Sequence, residues 1–145
     1  YRGWLAGKGY ADPGSGAATT NGPTYTYTAG GRLKTRTWMR SVPGGGGAVV
    51  TTYKYGFEGS DAARKHGDLI EVSYNDGTPT TTTGYDRRGR KSTVVRNGLT
   101  TSLAYTEADQ LLTESYAGGT LGGYSVSRTF DNSLRLQKVE LKQGK

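Results

Sequence analysis

The 145 residues predict an all-β fold of antiparallel hairpins, and three observations carry that expectation. Twenty-one Thr, eleven Tyr and eight Val supply residue types that suit a pleated surface. Twenty-four Gly and four Pro punctuate the chain too often for long helices. Two-residue alternation runs cleanly through Tyr124-Ser125-Val126-Ser127-Arg128-Thr129-Phe130 and through Leu99, Thr101, Leu103 and Tyr105, as a sheet with one packed and one wet face requires. Leu, Val, Phe and Ile together make only 22 of 145 residues, a share that beside a net charge of +7 points toward disorder. The aromatic and β-branched content reverses that reading, because disordered chains lack both.

Composition also excludes function classes. Zero Cys removes disulfides, thiolate metal sites and Cys nucleophiles. No apolar stretch approaches the roughly 20 residues of a membrane-spanning helix. The net charge of +7 would suit an anionic partner, but the basic residues are scattered, with Arg87-Arg88-Gly89-Arg90-Lys91 the one cluster, which argues against nucleic acid. Beginning at Tyr1 without a charged and apolar leader, the sequence reads as an excerpt of a longer chain, one segment over 1–145 with no internal domain boundary.

Taken in order, Asp12 to Pro23 is rich in Gly, Ala, Thr and Ser and reads as a Gly-rich loop. Tyr25-Thr26-Tyr27-Thr28-Ala29-Gly30-Gly31-Arg32-Leu33 is an extended run, a polar turn and the start of a second run. Val42 to Ala48, with four consecutive Gly, reads as a flexible hinge between strands. Tyr53-Lys54-Tyr55-Gly56 begins another hairpin, and Glu58 to Gly67 reads as one helical turn stopped by Gly67. Asn75-Asp76-Gly77-Thr78-Pro79 is a reversal, and Thr80 to Thr83 a wet strand. Gly84-Tyr85-Asp86-Arg87-Arg88-Gly89-Arg90-Lys91 is a hairpin turn in which Gly can take positive φ. Asn97-Gly98 between two β-rich runs is the strongest short hairpin signal. Leu103 to Leu111, Ala117 to Thr120 and Arg128 to Leu136 complete the series, for about ten short strands in a meander.

Five of these segments share one pattern. Their aromatics, Tyr27, Tyr55, Tyr85, Tyr105 and Phe130, lie 28, 30, 20 and 25 residues apart, a degenerate repeat stretched by insertions. The motif positions are Tyr25, Tyr27, Gly31, Arg32 and Leu33, then Tyr53 and Tyr55, then Tyr85, Asp86, Gly89 and Arg90. Tyr105 and Leu111 follow, and Phe130, Asp131, Arg135 and Leu136 close the set.

The arrangement Tyr-x-Tyr-Asp-x-x-Gly-Arg-Leu is the signature of the YD repeat of rearrangement hot spot (Rhs) proteins, and Tyr85-Asp86-Arg87-Arg88-Gly89-Arg90 resembles its core. Gly67 to Pro79 resembles the linker that often precedes such a repeat. The likeness runs from about Tyr10 to Leu141. Departures are that Thr28, Gly56 and Thr106 replace the acid, Lys91 the Leu, Asp109-Gln110 the Gly-Arg pair, and Leu134 the turn Gly. The resemblance implies a strip of antiparallel sheet from a hollow shell, or cocoon, secreted or at a bacterial cell surface, that encloses a toxin domain. In animals the same repeat occurs in teneurin adhesion proteins. Implied partners are the remaining segments of the parent shell, copies of the chain itself, an enclosed toxin domain, or a glycan.

Chemistry is sparse. His66 stands alone, without a second His or any Cys to complete a metal site or nucleophile pair. Asp68 with Glu71 and Glu107 with Asp109 are the nearest acid pairs, but both lie beside turns. Gly44 to Gly47 lacks the Lys-Ser or Lys-Thr of a phosphate loop, and Asp near Gly at 76–77 and 86–89 is too poor in acids for calcium. No cofactor, metal or catalytic residue is therefore expected, and the chain reads as not an enzyme. The repeat tyrosines either pack as the core the aliphatics do not supply, or stack on sugar as an adhesion module; their regular spacing favours packing.

Overall fold

The computed structural model describes residues 3–11, 18–19, 22–56 and 67–144. The chain is all-β and antiparallel. It divides into two units, Tyr1–Thr80 and Thr81–Lys145.

In the first unit, β1 (Tyr10–Ala11) pairs with β2 (Ala18–Thr19). A meander follows in which β3 (Thr24–Tyr27), β4 (Leu33–Ser41), β5 (Ala48–Tyr55) and β6 (Leu69–Tyr74) each pair with the next. In the second unit, β7 (Thr81–Tyr85), β8 (Lys91–Arg96), β9 (Leu99–Tyr105), β10 (Leu111–Ala117), β11 (Tyr124–Phe130) and β12 (Leu136–Gln143) repeat that plan. Every strand there lies beside its sequence neighbour. Short connections make this the cheapest topology, since the loop-closure cost rises with the length of chain between partners.

Two local expectations need revision, over 12–23 and over 67–79. The stretch 12–23 is not all loop, because Ala18–Thr19 is extended and pairs with Tyr10–Ala11, while 12–17 and 20–21 lie outside the described residues. The segment 42–48 joins β4 to β5 as a Gly-rich loop closed by hydrogen bonds. Val42 N donates to Gly47 O at 2.7 Å and Gly45 N to Val42 O at 3.2 Å, so its glycines serve positive φ at 44, 45 and 47. The linker seen in 67–79 contains β6, paired with β5 from Thr51↔Tyr74 to Tyr55↔Leu69. The helical turn expected over 58–67, and His66 with it, falls outside the described residues except for Gly67.

The core differs most from expectation. Among the described residues Val49, 1% exposed, is the one large hydrophobic side chain fully buried, with Thr51 beside it on the same face at 4%. None of Tyr25, Tyr27, Tyr53, Tyr55, Tyr85 and Tyr105 is buried; all are half-buried. In the second unit the six strands pair in sequence order as one antiparallel sheet. Side chains there cover one another sideways, across strands, and the sheet is held by its ladder and its turns.

Candidate functional site

The repeat turns are built alike, atom by atom. Numbering each turn from the residue after the aromatic, the first residue's N–H donates to the fifth residue's carbonyl: Thr28 to Arg32, Asp86 to Arg90 and Thr106 to Gln110 at 2.8 Å, and Asp131 to Arg135 at 2.9 Å. The fourth residue's N–H returns to the first carbonyl, from Gly31, Gly89, Asp109 and Leu134 at 2.9–3.1 Å. Closing so tight a ring forces the fourth residue into the left-handed region, with φ of 83°, 79°, 64° and 62° respectively. Gly accepts this freely at 31 and 89, whereas Asp109 and Leu134 carry the strain of a Cβ there.

The first residue closes the turn with its side chain. Asp86 Oδ1 accepts from the Arg88 and Arg90 amides at 2.9 and 3.0 Å, and Asp131 Oδ1 from those of Ser133 and Arg135 at 2.9 and 2.8 Å. Thr28 and Thr106 perform a reduced version, each hydroxyl accepting one amide at 3.2 Å, from Arg32 and Gln110. That explains why Thr can replace the acid: a single acceptor oxygen suffices to close the turn, as in other Asx and Ser/Thr turns. A carboxylate adds a second oxygen, which takes the fifth residue's guanidinium, at 2.7 Å for both Arg90 and Arg135.

A bulge follows every turn. Tyr27 pairs with Leu33, Tyr55 with Leu69, Tyr85 with Lys91, Tyr105 with Leu111 and Phe130 with Leu136, and each register then slips by one residue. Gly56 N donates to Asp68 O at 3.0 Å, which makes Gly56 and Asp68 the first and fifth turn positions of the second repeat, with an insertion between them. Two residues facing one bend the strand the same way each time.

Neighbouring repeats are joined by side chains at the turn end of the sheet. Tyr55 Oη donates to Leu33 O at 2.9 Å and Tyr105 Oη to Lys91 O at 2.8 Å, so the ring of one repeat is anchored on the first residue of the preceding second strand. Arg32 lies 5.3 Å over the Tyr55 ring and donates to Gly67 O. Arg90 lies 4.5 Å over Tyr105 and donates to Thr106 O at 3.3 Å. Gln110 keeps only the backbone reach, donating to Leu134 O at 2.6 Å. Arg88 and Arg90 converge on Asp109 Oδ1 at 3.0 and 2.5 Å.

These contacts set the electrostatics. The Arg90 guanidinium beside Asp86 holds that carboxyl below the usual carboxylate range, and Arg88 does the same for Asp109. Asp131 is held low first by the Arg135 amide. Arg90 in turn is raised by Asp86. One member of each acid pair is engaged by a cation: Asp109 by Arg88 and Arg90, and Glu71 by Lys54 Nζ at 2.6 Å. Among the described residues no group of three His, Cys, Asp or Glu is placed to hold a metal. No helix of the described residues is long and apolar enough to cross a membrane.

Of the motif residues, the turn and ladder unite Tyr27, Gly31, Arg32, Leu33, Tyr55, Tyr85, Asp86, Gly89, Arg90, Tyr105, Leu111, Asp131, Arg135 and Leu136 in common roles. Phe130 keeps the strand register but has no hydroxyl to donate. Tyr25 and Tyr53 lie two residues earlier, Tyr25 under the Arg36 guanidinium at 5.9 Å and Tyr53 opposite Val72.

One half-repeat escaped the sequence reading. Tyr27 Oη donates to Leu5 O at 2.8 Å, Tyr25 N to Ala6 O at 2.8 Å and Lys8 N to Pro23 O at 3.0 Å, so Leu5 to Lys8 lies along β3 as a second strand would. Gly3 has φ 67°, and the Trp4 ring lies tilted against Tyr27 with centroids 5.3 Å apart, where other repeats place Arg. The signal was available: Gly3-Trp4-Leu5 is Gly31-Arg32-Leu33 with one aromatic substitution.

Compared with models of known protein families the chain matches none, and a comparison with curated proteins finds no match either.

Proposed function

We propose that the chain is a wall segment of a YD-repeat protein of the Rhs type, secreted or at a bacterial cell surface, whose work is mechanical: enclosing or presenting another domain, such as a toxin. The observation that carries this reading is the recurrence of one turn, one bulge and one set of neighbour contacts along the chain. Similar joints recurring from repeat to repeat are what a wall requires, whereas a binding or catalytic module concentrates its special residues in one place.

The adhesion alternative, with tyrosines stacking on sugar, is disfavoured by where the hydroxyls go. Those of Tyr27, Tyr55 and Tyr105 are committed to backbone carbonyls, and the Tyr55 and Tyr105 rings carry arginine on one side. The test is protease protection in the parent polypeptide. A domain enclosed by the wall should survive a protease that digests the same domain expressed alone; equal digestion, or glycan-array binding lost on Tyr105→Phe without loss of stability, would refute the reading.

A further inference from the structure

The repeat-to-repeat joint ends on β12, which among the described residues has β11 as its one neighbour. Elsewhere a second strand offers three things to the next repeat: its backbone edge, the carbonyl of its first residue for a tyrosine hydroxyl, and the preceding side chain for that tyrosine's ring and turn. At Leu33 and Lys91 those carbonyls are taken by Tyr55 and Tyr105, and the preceding Arg32 and Arg90 are engaged with the same repeats. On β12 the corresponding groups are the Leu136 carbonyl and Arg135, whose side chain is 79% exposed although it holds Asp131. The apolar residues along this strand are also bare, Leu136 and Val139 at 55% and Leu141 at 69%.

We infer that the β12 edge is a docking site for one kind of partner, an extended strand ending in tyrosine and followed by a turn, that is, the first strand of a further repeat of this type. The inference rests on the wall reading and continues its established joint. The strand completes the backbone ladder, its tyrosine donates to Leu136 O, and its ring lies under Arg135. A second copy's β12 is a poorer occupant. Leu136–Gln143 contains no aromatic to meet either group, and each copy would bring Lys138 and Lys142 against one Glu140.

A synthetic peptide of Leu99 to Gln110, which carries Tyr105 and its turn, tests this on the full 145-residue chain. It should slow amide hydrogen exchange within 136–143, and the Tyr105→Phe peptide should bind roughly two- to tenfold more weakly, the range for one hydrogen bond. Arg135→Ala in the chain should weaken the parent peptide as well. Unchanged exchange in β12 at millimolar peptide, or equal binding of the two peptides, overturns the inference. So does sedimentation showing that the chain pairs with itself through β12 and that Val139→Lys dissolves the pair. None of these outcomes touches the protease-protection test, so the edge can fail while the wall stands.

Discussion

Gly118→Ala and Gly89→Ala separate two penalties that a glycine can avoid. Both positions have positive φ, 80° and 79°. At Gly89 an added Cβ meets nothing within 4 Å, so alanine there pays only for its left-handed backbone. That strain is about 1–2 kcal/mol, offset by about 0.4–1 kcal/mol because alanine narrows the unfolded ensemble, for a net loss of about 1 kcal/mol. At Gly118 the same Cβ would fall inside the contact distance of the Gly98 carbonyl oxygen, a backbone atom that cannot rotate away. Gly98 belongs to the two-residue turn whose central residues both have positive φ, Asn97 at 49° and Gly98 at 74°. Moving it disturbs the Arg96↔Leu99 and Thr100↔Ala117 pairs together. Overpacking against fixed atoms adds about 1–3 kcal/mol, so Gly118→Ala should cost about 2–4 kcal/mol in all. Urea denaturation of the full chain followed by far-UV circular dichroism reads the two variants side by side. Equal midpoints for Gly118→Ala and Gly89→Ala would refute the close approach of the 97–98 turn and the 118–123 loop.

Three further outcomes follow from the same geometry. Leu134 sits at φ 62° with its side chain 55% exposed, so Leu134→Gly should leave stability unchanged or raise it by up to about 1 kcal/mol, where leucine to glycine in a strand would destabilise; thermal melting checks this. Tyr105→Phe removes the bond to Lys91 O and should cost about 0.5–1.5 kcal/mol, while Tyr105→Ala, which also removes the ring from beneath Arg90, should cost more; denaturation of both variants should rank them so. Asp86, Asp109 and Asp131 have folded-state pKa values below their unfolded ones, so their stabilising contribution is complete above the ordinary carboxylate range near pH 4 and is lost as pH falls through the lower folded values. Melting temperature should therefore drop below about pH 4 and less steeply in an Asp86→Thr, Asp131→Thr double variant, since threonine closes the same turn at 28 and 106 without titrating.

Local chemistry made much of the fold legible. Asp86 to Arg90 closes within five residues, and Asn97-Gly98 within two, so residue types alone determine where the chain reverses and hence that sequential strands pair antiparallel. The alternation that flanks them assigns strands for the same reason: period two is a property of one strand before it has a partner. Where an insertion separates the halves of a turn, as Gly56 is separated from Asp68, that locality is broken, and β6 reads as a linker until the Tyr55↔Leu69 pairing places it.

What only the tertiary structure decided are matters of register between strands. Which carbonyl a tyrosine hydroxyl reaches depends on the slip after each turn: Tyr105 bonds to Lys91, 14 residues away, and Tyr55 to Leu33, 22 away. The role of Gly3-Trp4-Leu5 as a half-repeat emerges only when Leu5 is seen beside β3. The half-burial of every repeat tyrosine is likewise a tertiary matter, because how much surface a ring loses depends on what lies across from it. Residue types thus determined the turns and the strands, which short-range hydrogen bonding and sterics govern, while the joints between repeats and the half-burial of their aromatics were decided by contacts among residues that the sequence holds apart.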